Sequence, residues 1–145
     1  MSEATAHMDL VKAIQEWVSI KFFCGDLGCI YIDGPDSSEQ RKPPKLNGFI
    51  PDVFAKRDHA TVVIGEAKTF SDLENTHTNE QLGAFLTYCH TLPGSCLVLA
   101  VPWFMTRRAK SLLGLLQMKC GTSTEVAVIG ERETWSNNIF SEPRG

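Results

Sequence analysis

Apolar residues recur along the chain in two rhythms, and the switches between them divide it into elements. From Asp9 to Phe23, Leu10, Val11, Ile14, Trp17 and Val18 fall at helical spacing, which predicts a first helix. Gly25 and Gly28 break it. Residues 1–8 precede the apolar stripe and read as a flexible N-terminal tail. Cys29–Ile32 is a short apolar run, expected as the first strand. Residues 33–48, DGPDSSEQRKPPKLNG, show no period and form a long loop. Ile50–Ala55 and Thr61–Ala67 are rich in Val, Ile and Phe, and the polar Lys56–Ala60 joins them as two strands.

A helix follows, with Leu82, Phe85, Leu86 and Cys89 on its buried face and Pro93 and Gly94 beyond its end. Cys96–Val101 is continuously apolar, as expected of a strand covered on both faces. Thr106–Met118 is amphipathic, with Ala109, Leu112, Leu113 and Leu116 turned inward, and Glu125–Gly130 supplies a last strand. The expected architecture is α/β, a central mixed sheet flanked by helices. Residues 9–130 would form one domain, followed by a polar C-terminal tail over 131–145.

Chemistry is written into the middle strands. Side chains alternate along a strand, so Glu66 and Lys68 share one face while Ala67 turns to the other. If the two strands are neighbours, Asp52 reaches the same patch. Two carboxylates and an ammonium on an otherwise apolar sheet are costly to bury unless a cation or a substrate compensates them. A hard divalent cation such as Mg²⁺ suits them, because it prefers oxygen ligands and keeps several waters. Asp52 and Glu66 would supply those oxygens together with the backbone carbonyl of Ala67. Lys68 beside them could orient or deprotonate an attacking water and offset charge building on a phosphate.

Pro51-Asp52, a gap, then Glu66-Ala67-Lys68 resembles the PD-(D/E)xK motif of the restriction-endonuclease-like nuclease superfamily. The predicted order αβββαβ, from about Asp9 to about Gly130, is similar to the core of that family, in a minimal form like that of Holliday-junction resolvases. The resemblance implies a Mg²⁺-dependent nuclease, an endonuclease by family, with Mn²⁺ as a substitute cation and DNA as substrate. Asp52 and Glu66 would be metal ligands, and Lys68 would assist water attack on the phosphodiester. Some members carry a glutamate on the first helix that reaches the metal, a role Glu16 would fill although it lies opposite the apolar stripe. Others place a glutamine on the helix after the motif, and Gln81 stands there. Thr78 and Gln81 also match a capping box, in which Gln81 would serve the backbone instead. Members this small often act as homodimers or as subunits of larger complexes.

Charge changes the picture only locally. The net charge of −3 does not provide the general basic footprint of a nonspecific DNA binder. Lys42, Lys45, Lys56 and Arg57 are expected around the site, and Arg107, Arg108 and Lys110 form a second group at the start of a helix. Lys42, Lys45, Arg107 and Arg108 are therefore the candidate substrate contacts. Apolar content of 43% and charged content of 21% are ordinary for a globular chain. No apolar run approaches a membrane span, and the N-terminus lacks a signal-peptide core. Five cysteines without CxxC spacing read as reduced thiols, consistent with a cytoplasmic protein that does not contact membrane.

Two other classes compete with the nuclease. One is a catalytically silent nucleic-acid-binding or assembly module on the same fold, which has no need of Asp52, Glu66 and Lys68 together. The other is an unrelated small α/β enzyme, for which GxSxG, HExxH and a phosphate-cradling glycine loop are all missing.

Overall fold

The structure is a computed structural model that describes residues 3–34, 41–58 and 60–130. The elements are α1 (Glu3–Phe23), β1 (Ile30–Ile32), β2 (Val53–Lys56), β3 (Val62–Ala67), α2 (Thr76–His90), β4 (Cys96–Ala100), a 3₁₀ turn at Trp103–Met105, α3 (Thr106–Cys120) and β5 (Glu125–Ile129). The expected mixed sheet flanked by helices is present. Its five strands lie in chain order, with β1, β2 and β3 antiparallel and β3, β4 and β5 parallel. The C-terminal tail over 131–145 and residues 35–40 of the long loop lie outside the described residues.

A short polar connection joins the antiparallel β2 and β3, whereas each parallel pair needs a crossover helix. The two crossovers, through α2 and α3, run in the same direction along the sheet. Right-handed crossovers of that kind put both helices on one face. There Phe54, Val62, Ile64, Leu97 and Leu99 pack with Leu82, Phe85 and Leu86 of α2 and with Leu113 and Leu116 of α3. On the opposite face Leu10, Val11, Ile14 and Val18 of α1 cover Val53, Val63, Val98 and Ala100. Central strands β3 and β4 are buried along their whole length, which explains the uninterrupted apolar run of β4.

Gly65 lets α1 come close. A Cβ built there would stand 2.6 Å from Ile14 Cγ2 and 3.0 Å from Val53 Cβ. The helix therefore rests against bare backbone one residue before Glu66.

Two boundaries differ from expectation in ways that matter. The first helix begins at Glu3 rather than Asp9, so the part of the expected tail from Glu3 to Met8 is helical. Carrying the buried stripe of Val11, Ile14 and Val18 back by four and then eight residues reaches His7 and Glu3. Those side chains have polar partners in place of apolar ones, Asp52 just before β2 and Thr69 and Ser71 just after β3. The second helix begins at Thr76, with Asn75 as N-cap; its side chain accepts from the Thr78 N–H at 2.7 Å. The Thr78 hydroxyl donates to the Asp72 carbonyl at 2.6 Å. Thr78 is thus inside the helix, and the expected Thr78–Gln81 capping box is not formed.

Among the described residues no helix is long and apolar enough to cross a membrane. The cysteines are unpaired: Cys89 and Cys96 are buried, while Cys24, Cys29 and Cys120 are exposed.

Candidate active site

β2 and β3 pair with Val53 opposite Gly65, and one further step of that register sets Asp52 opposite Glu66. The two residues are then stitched together crosswise. The Asp52 N–H donates to Glu66 Oε1 at 3.1 Å, and the Ala67 N–H donates to Asp52 Oδ2 at 2.9 Å. Each carboxylate thereby satisfies a backbone donor at the end of a strand.

Lys68 follows on the same face as Glu66. Its N–H donates to the Ala100 carbonyl at 2.9 Å, which extends the β3–β4 ladder and holds the side chain in register. Nζ lies 3.3 Å from Glu66 Oε2 and donates to Gln81 Oε1 at 2.5 Å. Gln81 reaches inward from α2, with the capping role taken by Asn75. Asp52, Glu66, Lys68 and Gln81 therefore form one connected cluster. An ammonium has three N–H donors, and two of these contacts leave one for a further acceptor.

Burial governs the charge of this cluster. Glu66 is 2% exposed, and desolvation pushes its carboxyl up to about 8. The neighbouring Asp52 charge pushes the same way, while the Lys68 ammonium and the Asp52 N–H oppose it. Burial and the like charge prevail over the ammonium, so the carboxyl holds its proton well above the ordinary carboxylate range. Such a carboxyl surrenders its proton readily to a cation that takes its place.

Sequence reading missed His7 and its neighbours. His7 Nε2 stands 3.3 Å from Asp52 Oδ2, and this hydrogen bond raises the imidazole above its usual value against the opposing effect of burial. Glu3, one turn earlier on α1, accepts from the hydroxyls of Thr69 and Ser71, and the Thr69 hydroxyl also lies 3.2 Å from Asp72 Oδ2. The first turns of α1 thus border the cluster at Asp52 and at the segment that follows Lys68. The available signal was the extension of the helical stripe back to His7 and Glu3.

Other expected members stand elsewhere. Glu16 lies nine residues beyond His7, about 13 Å along the helix axis, and not at the Asp52 end. Lys56 is four residues past Asp52, about 13 Å along β2, and Arg57 stacks on Phe22 at 4.5 Å. Lys42 lines a groove with Gly28, Tyr31, Phe54 and Lys56, at that far end of the strand. Lys45 is exposed on the segment beyond it. Lys42 and Lys56 thus meet at the far end of β2 and not around Asp52, because an extended strand carries its two ends far apart. Arg108 pairs with Glu74 in an exposed ion pair, Nε to Oε2 at 3.1 Å, while Arg107 is exposed at the start of α3.

Among the described residues no group of three or more His, Cys, Asp or Glu side chains is arranged to hold a metal ion. The donors at the cluster are two carboxylates and nearby backbone, a hard-oxygen set that suits a cation retaining much of its water. Comparison with known proteins returned no matching family model, no matching curated protein and no matching solved structure.

Proposed function

We propose that the protein is a metal-dependent nuclease that hydrolyses DNA phosphodiester bonds on a restriction-endonuclease-like core. The observation that carries this reading is the convergence of Asp52, Glu66, Lys68 and Gln81, from β2, β3 and α2, at one end of the sheet. Asp52 and Glu66, with the Ala67 carbonyl, would hold Mg²⁺ or Mn²⁺. Bound there, the cation supplies Lewis-acid polarisation of the phosphodiester and acidification of water.

The chain's own residues do the rest. The Ala67 N–H fixes Asp52, and the Asp52 N–H fixes Glu66, so both carboxylates are oriented before substrate arrives. Gln81 and Glu66 hold the Lys68 ammonium with one donor left, which can meet a phosphoryl oxygen as negative charge builds on it. In hydrolysis a water gives up one proton as its oxygen forms the new bond to phosphorus, the ester P–O bond breaks, and the departing oxygen takes up one proton, so none is gained or lost overall. The His7 imidazole, whose affinity for a proton is raised by its bond to Asp52, could supply that proton from the edge of the cluster.

The test is cleavage of a panel of duplex, single-stranded and branched DNA with Mg²⁺ or Mn²⁺, for wild type, Asp52→Asn and Glu66→Gln. Wild-type cleavage that both substitutions abolish is the expected result. A wild type that neither cuts nucleic acid nor binds a divalent cation would overturn the proposal and favour the silent module.

A further inference from the structure

Three aromatic side chains that the fold leaves outside its core stand together at the sheet end carrying Lys68. Phe70 is 63% exposed, Trp103 61% and Phe104 57%. The Phe70 and Phe104 ring centroids are 6.2 Å apart at a 40° tilt, and Phe104 meets Trp103 edge-on at 5.8 Å. Two segments bring them there. Phe70 is two residues beyond Lys68. Trp103 and Phe104 belong to the 3₁₀ turn just after β4, whose last residue, Ala100, accepts the Lys68 N–H. Met105 of the same turn is buried and anchors it, so its two larger neighbours face solvent.

Contiguous exposed aromatics on a soluble fold mark a contact surface. Charge indicates the kind of partner. Arg107 and Lys110 are exposed in the first turns of α3, directly after the aromatic turn. A second copy of the chain seated on this surface would bring those cations toward their own counterparts. A polyanion carrying flat π-faces matches both features.

We propose that Phe70, Trp103 and Phe104 stack the unpaired bases of a nucleic-acid strand whose phosphates pass Arg107 and Lys110 toward Lys68. The inference rests on the nuclease reading of the same sheet end and narrows its substrate class. In an intact duplex the base faces are covered by neighbouring pairs, so this surface selects a single strand, a frayed end or an extruded base. Stacking would let a chain of net charge −3 bind such a strand, because it supplies affinity without a broad basic field.

The experiment is fluorescence anisotropy on the full chain without divalent cation, using a labelled oligothymidylate and a hairpin duplex. The strand should bind more tightly than the duplex. Phe70→Ala, Trp103→Ala and Phe104→Ala should each weaken strand binding about 5- to 150-fold, with circular dichroism unchanged. Trp103→Phe, which keeps a ring, should lose less. Ring-dependent strand binding supports the proposal whether or not the protein cuts. Cleavage of duplex that is indifferent to the three rings overturns it while leaving the roles of Asp52, Glu66 and Lys68 standing. Equal affinity for strand and duplex overturns it too. So do ring substitutions that change only the sedimenting mass, which would assign the surface to contact between copies.

Discussion

His7 Nε2 stands 3.3 Å from Asp52 Oδ2, so the first turns of α1 hold the carboxylate that precedes β2. The bond raises the imidazole pKa in the folded state above its ordinary value near 6.5. A raised folded-state value stabilises the protein fully below the unfolded value and is lost as pH rises through the folded one. His7→Gln should therefore cost most stability in acid and progressively less as wild-type His7 deprotonates. Urea denaturation of both proteins at about pH 5 and about pH 9 reads this difference. A gap that stays constant across that range would remove the charged pairing.

Glu66 titrates with a different partner. Its carboxyl is raised from 4.5 to about 8 by burial and by Asp52, so the folded state holds the proton more tightly than the unfolded chain. That contribution is complete below pH 4.5 and disappears as pH rises through about 8. Glu66→Gln keeps the neutral shape, and its stability relative to wild type should improve steadily across that window. Binding of Mg²⁺ or Mn²⁺ should release a proton below about pH 8 and tighten as pH approaches it. Calorimetry in buffers of different ionisation enthalpy counts the released proton. Binding with no release would show that Glu66 is already ionised or is not a ligand.

Lys68 and Gln81 should separate catalysis from metal binding. Lys68→Ala removes a positive charge beside the two carboxylates, so cation affinity should hold or rise. Single-turnover cleavage should nevertheless fall by ~10²-fold or more. Gln81→Ala removes one hydrogen bond to the ammonium, of a kind worth roughly 1.5–3 kcal/mol, and should slow cleavage about 10- to 100-fold. If Lys68→Ala cleaves as fast as wild type, the lysine has no part in the chemical step.

Gly65 tests how far the helix supports the site. A methyl group there meets Ile14 at 2.6 Å, on a branched side chain with few rotamers to retreat into. Gly65→Ala should cost about 1–3 kcal/mol by overpacking and push α1 outward. Denaturation measures the first effect. Loss of the pH dependence assigned to His7 measures the second.

Much of the arrangement was legible in the residues alone. Alternation along β3 puts Glu66 and Lys68 on one face wherever that strand lies. The stripe of Val11, Ile14 and Val18 makes α1 amphipathic in any fold that covers it. The polar link over Lys56–Ala60 led to the hairpin, which brings Asp52 opposite Glu66 once the strands pair in register. These signals are local, because they depend on periods of two and 3.6 residues.

Tertiary structure alone decided which distant side chains join them. Gln81 was open to two roles until Asn75 capped α2 and the helix crossed the sheet beside Lys68. His7 and Glu3 could be assigned to no partner until Ile14 settled on Gly65 and brought the start of α1 over Asp52 and Thr69. Lys42 and Lys56 are near the acids by number, yet four extended residues of β2 carry that basic groove to the other end of the strand. Periodicity tells which face a side chain occupies. Which faces meet, and at which end of a strand, follows from the packing of whole elements against one another.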